Sequence, residues 1–437
     1  MIRRARIVAA CLLVAFALLF VQLNIVVLLR ADALADVPAN VREIARSYGT
    51  ARGAVVTADG VVVAESPASP PAAGAAPRSY PHGELYAEVV GYLSATHGAS
   101  GLERRFNAQL AGADPDVGVR RLSDLLVDRR NVGTLATTLR HDLQQAAAAA
   151  LGGRAGAVVV VDPTTGDVVA LVGRPTFDPS LAAAEPGGPD GAGYFAALAA
   201  DPARPLVSAA TQRAYELGDW PERVVGRQPG IYARPEVTLF PATLTDTGSA
   251  GSRSSLTVLE LALLTAAVAQ DGVRMQPRFV TAVVDGDVPS GAGPAGSGAD
   301  PLVVYPSSPM TPPFDRTAAR ELAASMTAAG GTGTSLAVAW GSATPAGPAG
   351  AGVPAAGWAA AFALEADPAF AVAVVLDPSS GTAPGTAPGT ASGTASGTAP
   401  GPAPDRYPEL GTLALAIAAE ILDAAVQPVP AAPAAAG

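Results

Sequence analysis

Asp219 and Glu222, two carboxylates three residues apart, are the first candidates for chemistry in this 437-residue sequence. On a helix that spacing puts both on one face, and a raised pKa on one of them would permit acid/base work. The same pair also suits a structural role, with Asp219 as an N-cap or turn residue before Pro221 and Glu222 at the positive end of a helix. The structural role is the stronger reading. Composition narrows the other chemistries. All 28 basic residues are arginine, so no lysine is present to act as base or nucleophile. The three histidines, His82, His97 and His141, lie in the first third of the chain, and neither an HExxH pattern nor a G-x-S-x-G elbow occurs. Cys11 is the single cysteine, which excludes an intrachain disulfide and a cysteine-rich zinc site. No metal and no cofactor are expected. A net charge of −10 offers no electrostatic footprint for nucleic acid.

The elements that would position such residues follow from hydrophobic pattern and turn chemistry. Arg3, Arg4 and Arg6 precede an uncharged run from Ile7 to Leu29, 23 residues long. At 1.5 Å per residue it makes about 34 Å of helix, enough to cross a bilayer, with the arginines on the cytoplasmic side. Residues 1–30 therefore read as a cytoplasmic tip and single-pass membrane anchor. The rival reading, a cleavable signal peptide, is disfavoured by the length of the run. The bulk of the chain is then extracytoplasmic. Residues 31–134 read as a small α+β module, with a hairpin over Gly53 to Ala64 turned at Asp59-Gly60. Residues 135–153 read as a linker helix with an alanine run closed by Gly152-Gly153.

A larger domain over 154–425 opens with two apolar strands, Ala157 to Val161 and Val168 to Val172, joined by a tight turn and so antiparallel. Thr257 and Glu260 form a capping box for a helix running to Gln270, which is apolar on most sides and should be buried. A second hairpin joins Trp358–Leu364 to Phe370–Leu376, and a last helix covers Leu410–Ala425. The repeat at 381–404 has no large apolar residue and reads as a low-complexity loop; 426–437 reads as a disordered tail. The fold class is α+β, an antiparallel sheet covered by helices. Trp340 and Trp358 suit the core better than a ligand groove. Ser252, Ser254 and Ser255 read as a solvated loop, and His141 as a residue of the linker-helix surface.

Several segments resemble class B penicillin-binding proteins, and most of all their actinobacterial penicillin-binding protein A type. The resemblance rests on AVVVVDPTTGDVVALVGRPTFDPSL (157–181), GLERRFNAQLAG (101–112), TTLRHDLQQAAAAAL (137–151), SLTVLELALLTAAVAQDGVRMQPRFV (255–280) and GWAAAF (357–362). It implies a D,D-transpeptidase that crosslinks peptidoglycan stem peptides through a serine acyl-enzyme, with β-lactams as substrate mimics. It also implies a membrane setting, a SEDS-type glycan polymerase or other cell-wall synthesis proteins as partners, and peptidoglycan as a ligand.

The motifs that carry that chemistry are degenerate. In the family, S-x-x-K opens a helix so that the lysine amine lies beside the serine it activates, S-x-N assists proton transfer, and K-T-G binds the substrate carboxylate. Aligning RAYELGDWPERVV puts Asp219 at the serine and Glu222 at the lysine. The S-x-N stretch is largely missing, and AVAWGSATPAG offers Trp340 or Gly341 in place of the last lysine. Sliding the alignment recovers nothing in a sequence without lysine. A GC-rich codon bias explains arginine at surface positions, but an arginine, with a pKa above about 12, cannot be the neutral amine. The sequence thus predicts a pseudoenzyme of cell-wall biogenesis, acting as scaffold or regulator of a division or elongation complex. The alternatives are a transpeptidase with a non-standard serine and a decaying gene product.

Overall fold

The computed structural model describes residues 12–19, 22, 44, 52–66, 78–118, 131–183, 193–217, 255–286, 301–310, 315–330, 336–345, 356–363, 370–378 and 407–426. Its first sheet is built from β1 (Val55–Val56), β2 (Val62–Ala64) and β5 (Gly133–Thr137), joined by β10 (Val280–Asp285) and β11 (Pro301–Val304), in the order β11-β10-β5-β1-β2. The hairpin read at Asp59-Gly60 is present: β1 and β2 pair antiparallel, and Gly60 adopts φ 87°. Around this sheet lie α1 (Ala87–Val90), a two-residue ladder of β3 (Leu93–Ser94) with β4 (Gly98–Ala99), and three short helices: α2 (Gly101–Arg105), α3 (Asn107–Leu110) and α4 (Pro115–Gly118).

The centre of this half is an ion cluster rather than a purely apolar one. Glu103 is 0% exposed and accepts from Arg52 Nε at 2.8 Å and Arg78 Nε at 2.7 Å. Arg52 also donates to Asn107 Oδ1, and Arg78 to the Gly53 carbonyl, both at 2.8 Å. Burial alone would raise the Glu103 pKa, but the Arg78 and Arg52 guanidiniums outweigh it and hold the carboxyl below its ordinary value.

Two sequence expectations are corrected here. The linker helix read over 135–153 is split: residues 133–137 are strand β5, buried at every position, and only α5 (His141–Leu151) is helical. Leu135 and Ala136 pair with β1 in parallel and with β10 antiparallel, so the backbone bonds a helix would make internally go to neighbouring strands instead. The cap of α5 is also tertiary, since both Asp59 carboxylate oxygens accept from the His141 N–H. The second correction concerns the single domain read over 154–425, because β10 and β11 belong to the first sheet.

The second sheet runs β7-β6-β14-β13-β12-β8-β9. Its strands are β6 (Gly156–Val161), β7 (Val168–Arg174), β8 (Ala214–Glu216), β9 (Ser255–Thr257), β12 (Leu336–Pro345), β13 (Ala356–Ala363) and β14 (Ala371–Leu376), and all its pairings are antiparallel. The uninterrupted apolar runs of β6, β13 and β14 follow from cover on both faces. One face packs on α8 (Val258–Ala269) and α9 (Arg316–Gly330), the other on α5 and α10 (Tyr407–Val426). Two short helices, α6 (Pro179–Ala183) and α7 (Tyr194–Ala200), lie to one side.

The turn between β6 and β7 explains its sequence. Asp162 Oδ1 accepts from the Thr164 N–H at 2.8 Å, and Gly166 takes φ 80° with the Gln276 carbonyl 2.3 Å from where a Cβ would stand. The predicted capping box of α8 is formed: Thr257 Oγ1 accepts from the Glu260 N–H at 3.2 Å, and Glu260 Oε2 accepts from the Thr257 N–H at 2.8 Å. Every residue of α8 except Glu260 and Ala269 is buried, as its all-round apolarity requires.

Residues 12–19 are helical and exposed, and among the described residues no helix is long and apolar enough to cross a membrane. Most of the run from Ile7 to Leu29, the loop at 381–404 and the tail at 426–437 apart from Val426 lie outside the described residues.

Candidate functional site

Strand β12 carries the residues read at the lysine of the third motif, and its alternation separates them. Ala337, Ala339 and Ala343 join the core under α8, whereas Val338 joins the core under α10. Gly341 therefore faces the α8 side. It lies directly across from Trp358 on β13, and a Cβ added to it would stand 3.2 Å from Trp358 Nε1. Trp358 is 2% exposed, and its indole N–H donates to the Ser342 carbonyl at 3.1 Å. Trp340 lies on the opposite face, against Gly411 in the first turns of α10, and is 41% exposed. Trp358 is the core residue expected; Trp340 is a surface residue, because β12 is covered only by the start of α10 at that point.

The corner beside β12 is closed by the β8–β9 pair, which joins β12 at Thr344 and Pro345. Leu217 ends this corner on one side and Ser255 begins it on the other, so Ser255 is a strand residue rather than part of a solvated loop. Asp219, Glu222, Ser252 and Ser254 lie outside the described residues. Beneath the corner, Arg213 and the Tyr215 hydroxyl both donate to Asp377 Oδ2, at 3.3 and 3.2 Å. Burial pushes the Asp377 carboxyl up, against the pull of Arg213.

Two family models match the chain. Residues 52–135 match the family described as penicillin binding protein A dimerisation domain, and residues 220–395 match the penicillin binding protein transpeptidase domain. The chain is similar to peptidoglycan D,D-transpeptidase PbpA of Mycolicibacterium smegmatis, 31% identical over 245 residues, or 54% of this chain and 49% of that protein. It is 33% identical over 224 residues to PbpA of Mycobacterium tuberculosis, covering 50% of this chain and 44% of the relative. The chain thus spans about half the length of the curated relatives it matches. Among solved structures, the crystal structure of PBPA from Mycobacterium tuberculosis superposes with a TM-score of 0.66 at 22% identity, over 87% of this chain and 100% of that one. The chain belongs to the penicillin-binding protein family.

Among the described residues, the strand read at the third motif and the start of α8 carry no amine side chain. Gly341 brings no side chain to the α8 side of β12, and Thr257 and Glu260 at the start of α8 are engaged with each other as a cap. No group of three or more potential metal ligands occurs among the described residues. His141 sits at a contact between the two halves rather than on a free helix surface: its Nδ1 shares a 2.8 Å hydrogen bond with the Tyr86 hydroxyl, and its ring lies 4.6 Å from that of His82. Burial and the neighbouring His141 hold the His82 pKa below the usual imidazole value.

Sequence reading missed one polar site altogether. Glu88 on α1 reaches across to the other half of the molecule, where its Oε1 accepts from Ser208 Oγ at 2.6 Å and from the Ala210 N–H at 2.9 Å. Burial pushes its carboxyl up despite those bonds. Gly173 makes room for it, because a Cβ there would fall 1.7 Å from Glu88 Oε2. The available signal was a lone carboxylate in the apolar run YAEVV (86–90).

Proposed function

We propose that this protein serves peptidoglycan synthesis by binding rather than by chemistry, as a membrane-anchored and catalytically inactive relative of the D,D-transpeptidases. The observation that carries the reading is the sequence without lysine, in which Trp340 or Gly341 stands where the third motif would have one. Acyl transfer to serine needs a neighbouring base to take the hydroxyl proton, and every basic side chain other than histidine is here a permanently charged guanidinium. Asp219 at the nucleophile position would remove the hydroxyl as well. The retained core argues for a role that needs the fold: β6, β13 and β14 are buried throughout and α8 is fully capped.

The uncharged run from Ile7 to Leu29 supports a place in the cell membrane with the bulk of the chain outside. The partners that fit are membrane proteins of cell-wall synthesis, a SEDS-type glycan polymerase foremost, within a division or elongation complex. Membranes that contain the protein, treated with fluorescent penicillin and separated by electrophoresis, are expected to show no labelled band at its mobility. A labelled band that unlabelled penicillin competes away would overturn the reading.

A further inference from the structure

Two of the three histidines in the sequence meet where the first half of the molecule touches the start of α5. His82 precedes a single helical turn, Gly83–Leu85, that leads into α1, and His141 is the first residue of α5, which packs on the second sheet. Their ring centroids lie 4.6 Å apart at an interplanar angle of 54°. The Tyr86 ring is nearly parallel to His141, at 6.0 Å and 15°, and its hydroxyl shares the 2.8 Å bond with Nδ1. Two further bonds cross this seam: Gln144 Nε2 donates to the Leu85 carbonyl at 2.8 Å, and Thr176 Oγ1 to the Glu84 carbonyl at 3.3 Å.

The charged groups around the pair are unevenly placed. On the His141 side, both Asp59 oxygens from the β1–β2 turn accept from the His141 backbone N–H, and Asp142 pairs with Arg140 at the start of α5. On the His82 side, Glu84 lies 3.9 Å from Arg174 at the end of β7. Among the described residues, the one charge that bears on the His82 ring is His141, and burial and that charge both resist a proton there. Burial, with Asp59 and Asp142, pushes the Tyr86 hydroxyl up, so no phenolate balances a second cation. Two unit charges 4.6 Å apart oppose each other by about fivefold in an equilibrium even at the dielectric of water.

We propose that His82 and His141 form a pH-responsive joint between the two halves: the 82–86 segment rests on α5 while at least one ring is neutral, and leaves it in mild acid when both are charged. The closed joint favours a neutral His82, so closure is complete above the ordinary imidazole value of 6.5 and is lost as pH falls through the lower value of the closed state. Glu88, which ties α1 to the 208–210 segment, responds in the opposite sense: burial favours its neutral form, so that contact gains stability in acid. The loss at Glu103 begins only in the glutamate range, below this window. The test is hydrogen–deuterium exchange of the full chain in lipid nanodiscs at about pH 7.5 and about pH 5.5, corrected for the intrinsic pH dependence of exchange. Peptides covering 82–90 are expected to lose about fivefold or more protection at the lower pH, while peptides of β6 and β14 stay protected. His82→Gln and His141→Gln should each abolish that loss, since either leaves at most one charge, and His97→Gln should preserve it. Equal protection of the natural sequence at the two pH values overturns the proposal, as does a loss that persists in His82→Gln or disappears in His97→Gln. Should His141→Gln fail to fold, the His82 and His97 variants decide alone.

Discussion

Glu103 is held by two arginines in a site without solvent, so its contribution to stability has a definite size and pH window. Glu103→Ala leaves two buried guanidiniums without their anion and should cost about 3–5 kcal/mol, measured by urea unfolding. Its folded-state pKa lies below its unfolded one. The stabilisation is therefore complete at neutral pH, begins to fall as pH drops through the ordinary glutamate range, and is gone below the folded value. The natural protein should lose stability over that acid window, and the Glu103→Ala variant should show a shallower loss. Trp358 is a packing residue of similar weight: it is nearly fully buried across from Gly341, and Trp358→Ala should cost about 3–5 kcal/mol in the same assay. Under the proposed function, which aligns Asp219 with the family's nucleophile, Asp219→Ser is the informative change. It supplies a hydroxyl but no amine, so labelling by fluorescent penicillin should stay at background.

Among the elements, α8 stands out because its start was legible to the residue. Thr257 and Glu260 spell the capping box, and Asp271-Gly272 the stop, where the Gly272 N–H donates to the Ala267 carbonyl at 2.8 Å. Thr257→Ala should lower stability by about 1 kcal/mol. Two hairpins were legible for the same reason: β1–β2 and β6–β7 each join two apolar strands through a short turn, and local chemistry decides them; the pairing of β13 with β14 was legible from their two apolar runs. Strand β5 was not. Thr134 to Thr137 run straight on toward an alanine-rich helix, and nothing local separates an extended buried segment from a first helical turn. The partners of β5, β1 on one side and β10 on the other, settle it, and β10 lies more than a hundred residues away. The proposed anchor is tested at this scale too: deletion of residues 1–30 should release the protein from membranes into the soluble fraction on ultracentrifugation.

Across the whole molecule, the two halves are interlaced rather than strung in line. Strands β10 and β11 leave the C-terminal half to complete the first sheet, and Glu88 crosses the other way to bind the 208–210 segment. The family was legible because it is written in contiguous residues such as GLERRFNAQLAG. The Glu88 contact was not, because its partners Ser208 and Ala210 lie more than a hundred residues further along the chain. The proposed binding role rests on a well-packed second sheet in a sequence without lysine. The most direct test is intact-mass spectrometry of the purified full-length chain after incubation with excess benzylpenicillin, with an active D,D-transpeptidase relative treated in parallel. The expected result is an unmodified mass for this protein beside a complete one-to-one adduct on the relative. A stable one-to-one adduct on this chain, mapped to a serine, would contradict the account.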